Sequence, residues 1–546
     1  MEVLCLKNEN REWNIPYPYF AKQNELYRIE SKSVKGEVRE VEIKVSRNAP
    51  VITKMYKHIE RNEIHYEVTW ENKGDSYTET VAAGVLASKR ELLKMADMGL
   101  GCNDSNSRHF VEYFDLFIGH NEIPKVEMTD RLGQIKNKFI HPITSEDIHV
   151  MAKDSGESQL LESFQTKGTA QSWIDNVFNL IKNHPKAVFP IVSSFASAIL
   201  HEEELKPIVI DVSGTSSTGK SGLLRLCASV WGEPEKYIGT FNTTLVAIER
   251  RSTFLNSFPQ ILDDSNGAND PKFIQPMIYQ YVNTTGKQRG SLTGSQHTDS
   301  WTSLMITSGE NEITTYANAQ GVPARVISIA NFSFANEEKE FLGNVYSSCK
   351  ENFGSIGIEF LRRWRENRGH LLRELPKYEK AFLEISNNDI TKRLSRHYAF
   401  IVFTGKVLNE IFKSEGLKID LEELKNLYID MSKSNKSLDL PVVELQSALE
   451  DIDANRNKLY ADYEPNGSIS GFYHNGDFYF SPAYLKERLG VNEKQIRYLW
   501  MKRGFTGIFS NRGIEVDYKV IKKNKRAYRA VLVNKEILEK LDFDFS

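Results

Sequence analysis

Residues 207–232 read PIVIDVSGTSSTGKSGLLRLCASVWG, and the fold turns on how that run is parsed. An apolar, β-branched segment enters a glycine-rich loop made of Gly214, Thr215, Ser216, Ser217, Thr218, Gly219, Lys220 and Ser221, and a helically spaced segment leaves it. G-x-x-x-x-G-K-S between a strand and a helix is the phosphate-binding arrangement called a P-loop. The glycines let backbone N–H groups turn inward around phosphates at the positive end of the helix. The pattern predicts that these eight residues bind ATP. Lys220 is then expected on the β- and γ-phosphates, and the Ser221 hydroxyl on Mg2+.

A nucleotide-hydrolysing site also needs a carboxylate at the end of a second buried strand, and Phe258-Pro-Gln-Ile-Leu-Asp263-Asp264 supplies one. Asp263 is the expected metal-shell acid, and Asp264 stands where a base would polarise the attacking water. A third apolar run, Leu304-Met-Ile-Thr307-Ser308, ends in two hydroxyls. Either Thr307 or Ser308 qualifies as the group that senses the γ-phosphate, with Glu310 as a further polar contact or the start of the next loop. Gly321-Val-Pro-Ala-Arg325 places one guanidinium just before another apolar strand. That position suits a finger reaching a neighbouring subunit's nucleotide. Between the second and third strands, Lys287 and Arg289 lie in a glycine-rich stretch expected to form a basic hairpin that grips single-stranded DNA through its phosphates.

At 546 residues the chain is too long for one core. With 40% apolar and 26% charged residues and a mean hydropathy of −0.44, the composition is that of a globular chain, with no run long enough to span a bilayer. Cys5, Cys102, Cys227 and Cys349 never form a C-x-x-C pair, which argues against zinc and disulfides and for a reducing, cytoplasmic setting. His109 and His120 read as ordinary solvated or core histidines. Residues 1–150 are expected to form a mixed α/β N-terminal domain, 151–204 a helical linker region, 205–335 the ATPase core, 336–436 a helical lid and 437–464 a connector. The last part, 465–546, is expected to be a small basic α/β unit.

The net charge of −3 hides a local asymmetry: residues 494–529 hold eleven lysines and arginines against Glu515 and Asp517. Residues 481–504 read as helix, glycine turn, helix, with Ser481 and Asn492 as caps and Leu485, Leu489, Ile496, Leu499 and Trp500 as the buried face. Two strands follow around a basic turn. That is a winged-helix plan, with Lys494, Arg497 and Lys502 on the second helix and Lys522, Lys523, Lys525 and Arg526 on the wing as expected contacts to duplex DNA.

With these elements in place, the chain resembles the self-loading, MCM-like replicative helicases of staphylococcal mobile elements, the Cch type of the cassette chromosome. The residues carrying the likeness are GTSSTGKS followed by SVWG, PQILDD, the glycine-rich segment before Trp301, LMITSGE and GVPARVISI, together with VAAGVLASKRELLKMADMGLG near the start. The resemblance implies a multidomain α/β protein with a P-loop AAA+ core, a helical lid and a C-terminal winged helix. It implies a homohexameric ring translocating on one DNA strand, and an Arg325 acting across the subunit interface. It further implies a lid arginine, for which Arg393 and Arg396 are the candidates. An aspartate at 264, where glutamate is usual, is the departure from that pattern. The competing reading is an origin-binding or regulatory protein in which ATP only switches assembly.

Overall fold

Five runs around the glycine loop form one sheet in the computed structural model of the chain: Val209–Ser213 (β1), Gly239–Thr240 (β2), Gln260–Asp263 (β3), Met305–Gly309 (β4) and Val326–Ile329 (β5), in the order β2-β3-β4-β1-β5. β1 runs parallel to β4, with Val209 opposite Met305 and Ser213 opposite Gly309. β3 runs parallel to β4, with Leu262 opposite Thr307. β1 and β4 are buried at every position, and neither shows the strict apolar–polar alternation of a half-exposed strand. Because β4 lies between β1 and β3, their C-terminal ends emerge side by side.

The structure describes all residues except 1–5, 9–10, 35–36, 269–270, 285–289, 292–293, 296–299, 317–320, 335–336, 338–339, 435–439, 491–492, 512 and 546. The expected DNA contacts Lys287 and Arg289 and the expected cap Asn492 lie outside the described residues. The chain divides into two compact units. One comprises Met1–Tyr316, Ser328–Glu374 and Phe400–Asp420, and the other Ala317–Ile327, Leu375–Ala399 and Leu421–Ser546.

In the first unit the N-terminal residues build a three-stranded antiparallel sheet and a five-stranded mixed sheet. Helix Ser107–His120 packs Phe110, Tyr113, Phe114 and Phe117 into a core with Leu26, Ile52, Val68 and Trp70. Helix Pro185–Ile199 is buried along nearly its whole length. Its serines bond to backbone: Ser193 to the Phe189 carbonyl at 2.8 Å, Ser194 to the Cys227 carbonyl at 2.8 Å, and Ser197 to the Ser257 carbonyl at 2.9 Å. The helix lies within the stretch expected to be a helical linker region, and it is buried beside the β1–β5 sheet because each hydroxyl finds a carbonyl. Cys102, Cys227 and Cys349 are buried free thiols.

The second unit ends in a five-stranded sheet ordered Leu459–Tyr460, Gly471–His474, Asp477–Phe480, Arg526–Leu532, Tyr518–Lys523. Helices Pro482–Leu489 and Glu493–Lys502 pack on it through Leu485, Leu489, Ile496 and Trp500. The expected connector is the helix Leu440–Ala454, and it belongs to the same core: Leu445, Leu449 and Ile452 are buried there, and Trp500 Nε1 donates to the Pro441 carbonyl at 2.6 Å. Ser481 makes no side-chain cap, but Pro482 does open the helix. Among the described residues no helix is long and apolar enough to cross a membrane.

Candidate active site

The loop leaves β1 at Gly214, whose N–H donates to the Gly309 carbonyl at 3.2 Å, and enters the helix Lys220–Ser229 at Gly219. Two positions demand glycine. A Cβ at Gly214 would lie 2.4 Å from the Phe332 carbonyl oxygen. Gly219 has φ +95°, and a Cβ there would meet Leu342 and Phe334 at 2.8 Å. A larger residue at either place would push the loop away from the sheet end. Lys220 Nζ donates to the carbonyls of Gly214 and Thr215, both at 2.7 Å, so the ammonium sits over the loop's own turn. The Thr218 hydroxyl donates to the Thr215 carbonyl at 2.8 Å, and Phe334 N–H to the Thr218 carbonyl at 2.9 Å. Thr215, Ser216 and Ser217 are exposed, while Lys220 and Ser221 are half-buried at the start of the helix.

Asp263 ends β3, half-buried, and accepts a short hydrogen bond from the Ser308 hydroxyl. Its charge also acts on Arg225, which sits on the helix that follows the loop and donates to the Ser221 carbonyl at 3.1 Å. Asp263 and the Lys220–Ser221 helix start thus face one region at the C-terminal ends of β1, β4 and β3. Asp264 is exposed, with φ 60° and ψ 82°, and its carboxylate accepts the Asn266 N–H at 3.2 Å. The Asp264 N–H in turn donates to Ser308 Oγ at 3.2 Å. Ser308 therefore touches both aspartates. Glu310, just beyond β4, is exposed.

Thr307 points elsewhere, since neighbouring strand residues face opposite sides. Its hydroxyl donates to Asp211 Oδ1 at 2.8 Å, while the Ile313 N–H donates to Asp211 Oδ2 at 2.8 Å. Asp211 is fully buried in β1, and burial pushes its carboxyl up to about 7 against the pull of those two hydrogen bonds. Sequence reasoning missed this residue. The signal for it is a carboxylate inside the apolar run PIVIDV, three positions before the loop.

Arg325 ends a short turn, Pro323–Arg325, half-buried, with Nη1 donating to the Gly321 carbonyl at 2.7 Å. Of the two lid candidates, Arg396 pairs with Glu379 at 2.8 Å and Arg393 is exposed. On the C-terminal unit Arg497 is half-buried. It makes a two-pronged pair with Asp517 at 2.7 and 2.8 Å and also pairs with Glu493. Lys502 pairs with Glu515 at 2.8 Å, Lys523 donates to the Tyr460 carbonyl at 2.9 Å, and Arg526 pairs with Glu464 at 3.1 Å. Lys494, Lys522 and Lys525 are exposed and make no ion pair among the described residues.

The chain shares its fold with the solved structure described as "SCCmec type IV Cch - active helicase", at a TM-score of 0.69 and 17% sequence identity, covering 96% of this chain and 99% of that one. A second structure, the C-terminal region of NrS-1, covers 88% of this chain and 96% of its own at 10% identity, with a TM-score of 0.32 that bears no argument. No curated protein matches the sequence. Residues 19–301, just over half of the chain, match the family described as "Domain of unknown function (DUF927)", and the chain belongs to that family.

Proposed function

We propose that this chain is an ATP hydrolase of the AAA+ class that drives DNA unwinding, its identical subunits forming a hexameric ring. The observation that carries this reading is the meeting of the Gly214–Ser221 loop with Asp263 and Ser308 at the C-terminal ends of neighbouring parallel strands. A parallel α/β sheet binds ligands there, and the helix N-terminus adds backbone donors for phosphate. The shared fold with a protein described as an active helicase supports DNA as the polymer acted on.

The residues fit a magnesium nucleotide. Gly214 and Gly219 let the loop pack against the Phe332 backbone and against Leu342 and Phe334, where a Cβ would clash, and Ser221 and Asp263 offer hard oxygen ligands. Bound magnesium would supply electrostatic stabilisation of the phosphoryl oxygens. Lys220 Nζ, now on two loop carbonyls, is placed to give those bonds up for phosphate oxygens. Ser308 holds Asp263 by hydrogen bond and fixes its orientation, which favours Ser308 over Thr307 as the γ-phosphate contact. Asp264 Oδ1 holds the Asn266 N–H, and Oδ2 is the atom to take a proton from the attacking water. Arg325 would supply its charge to a neighbouring subunit's site. The C-terminal unit, read as a winged helix, would contact duplex DNA through Lys494, Lys522 and Lys525.

The test is strand displacement on a partial duplex with ATP and Mg2+, comparing wild type with Lys220→Ala. The expected result is ATP-dependent unwinding by wild type and loss of both unwinding and hydrolysis in the variant. Hydrolysis by Lys220→Ala within twofold of wild type would refute the nucleotide site. A wild type that hydrolyses ATP but never separates strands would refute the motor.

A further inference from the structure

Away from the glycine loop, a cavity of about 460 Å3 lies in the first unit between helix Ser155–Leu161 and helix Leu245–Leu255, over the edge strand β2. Its size falls in the range of about 300–1,000 Å3 usual for small-molecule sites. None of the residues Gly214–Ser221 lines it, so it is separate from the nucleotide site.

Arg251 stands in its wall. Its Nη2 donates to the Tyr237 carbonyl, its Nε is buried without a hydrogen-bond partner, and among the described residues no carboxylate pairs with it. Burial holds this guanidinium below its usual pKa, against a smaller opposing pull from Tyr237. Other partly buried arginines of the chain are treated differently: Arg225 is held by Glu235, Arg363 by Glu415 and Arg497 by Asp517, each through two nitrogens. A guanidinium drawn out of water and left without a carboxylate is among the least favourable groups to bury. A Cβ at Gly239 would fall 3.6 Å from Nε, so β2 crosses close by without a side chain.

The rest of the lining is polar in a consistent sense. Thr240, Thr243 and Thr244 bring hydroxyls to the cavity. Thr244 caps the Leu245–Leu255 helix by accepting the Ala247 N–H at 3.2 Å. The N–H groups of Leu245 and Val246, which no helical carbonyl can satisfy, are left at the positive end of the helix. The opposite wall carries two carboxyls. Asp154 accepts the Glu157 N–H at 2.9 Å and faces Arg250 at 3.6 Å. Glu157 accepts the Lys153 N–H at 2.7 Å, and burial raises its carboxyl above the usual range.

We propose that this cavity binds a small organic anion, a phosphomonoester or a carboxylate, with its charged end on Arg251 and the helix start and a hydroxyl or amino end against Glu157. Phosphoryl and carboxyl groups share the planar or forked acceptor geometry that a guanidinium recognises. The three-carbon hydroxylated anions glycerol 3-phosphate and glycerate separate the two sources.

The experiment is calorimetric titration of the full chain without ATP, in a Lys220→Ala background so that the glycine loop does not contribute phosphate binding. Inorganic phosphate, glycerol 3-phosphate and glycerate are the probes. The expected result is saturable binding of one organic probe. Arg251→Gln should weaken it at least tenfold, Arg251→Lys should largely restore it, and Arg90→Gln, at an exposed arginine outside the cavity, should leave it within twofold. Amide-exchange protection of helix Leu245–Leu255 in Arg251→Gln reports whether that variant folds, and Glu157→Gln provides a second, less disruptive weakening. Unchanged affinity in Arg251→Gln, saturation by inorganic phosphate alone, or no saturation by any probe overturns the proposal.

Discussion

Asp211 offers a quantitative test of how the core is wired, and Asp211→Asn is the perturbation. The carboxyl is fully buried and its pKa is lifted from 3.8 to about 7, with burial the main cause. The folded protein therefore binds a proton through a pH window in which the unfolded chain has lost it. The stability this contributes is fully present below about pH 3.8 and is lost as pH rises to about 7, above which the loss is complete. At 1.36 kcal/mol per pH unit, the whole window amounts to about 4 kcal/mol. Between pH 5.5 and pH 8 roughly 2 kcal/mol of it is lost, about thirty-fold in an opening equilibrium. Asparagine cannot titrate. It also cannot accept from both the Thr307 hydroxyl and the Ile313 N–H without a donor facing a donor, which costs about 1–3 kcal/mol at every pH. The variant is thus expected to be less protected than wild type at pH 5.5 and to close most or all of that gap by pH 8. Hydrogen exchange of the Val209–Ser213 amides, expressed as protection factors to remove the intrinsic pH dependence, reads this locally in a chain of several domains. A wild-type-to-variant ratio that stays constant from pH 5.5 to pH 8 would show that Asp211 titrates as an ordinary aspartate and would refute the reasoning.

The two hydroxyls at the end of β4 should separate by assay: Ser308→Ala is expected to lower ATP turnover about ten- to a hundredfold with nucleotide binding kept, and Thr307→Val to reduce core stability by about 1–2 kcal/mol; equal turnover losses would erase the distinction. Arg497→Gln should destabilise the C-terminal unit by about 3 kcal/mol, because it leaves Asp517 and Glu493 without their partner, as measured by denaturant unfolding of that unit. Joint replacement of Lys494, Lys522 and Lys525 by alanine should leave that stability alone and lower duplex affinity, reducing the salt slope by about 0.9 for each phosphate no longer neutralised; an unchanged slope would turn the unit into a protein-docking module. Arg325→Ala mixed with Lys220→Ala should recover hydrolysis that neither has alone, provided subunits are shown to exchange, and absence of recovery under exchange would remove the finger acting between subunits.

The β1–β5 sheet was legible because it is parallel. The inner strands β1 and β4 are buried at every position and β3 at all but its last, so they stand out in largely apolar segments, and the glycine loop and paired aspartates fall at their ends where side chains leave the sheet. Helix Pro185–Ile199 is legible as a packed helix from its apolar spacing, while the partners of its serines, the carbonyls of Phe189, Cys227 and Ser257, are not. Leu440–Ala454 shows the same limit: its spacing gives a helix, while only the Trp500 bond to Pro441 shows which core it serves. Thr307 and Ser308 could not be ranked from sequence because both end the same strand. What separates them is strand register, which sets Thr307 beside Asp211 and Ser308 beside Asp263.

Charge divides in the same way, and the division bears on function. Counting lysines and arginines locates the C-terminal cluster correctly, but pairing decides which of them can meet a phosphate. Arg497 reaches Asp517 across the fold and Glu493 one helical turn back, and an arginine held by two carboxylates must break both bonds before it contacts DNA. Lys502, Lys523 and Arg526 are engaged as well. The footprint we propose for nucleic acid is therefore smaller than the eleven basic residues suggest, and it centres on Lys494, Lys522 and Lys525. Arg251 is the reverse case. Nothing in LVAIERRSTFL marks it apart from Arg250, yet Arg250 faces Asp154 while Arg251 is buried against a backbone carbonyl with no acid to meet it. A sequence shows where charge is, whereas three-dimensional pairing shows which charge is spoken for, and the unpaired ones are where a ligand gains most from binding.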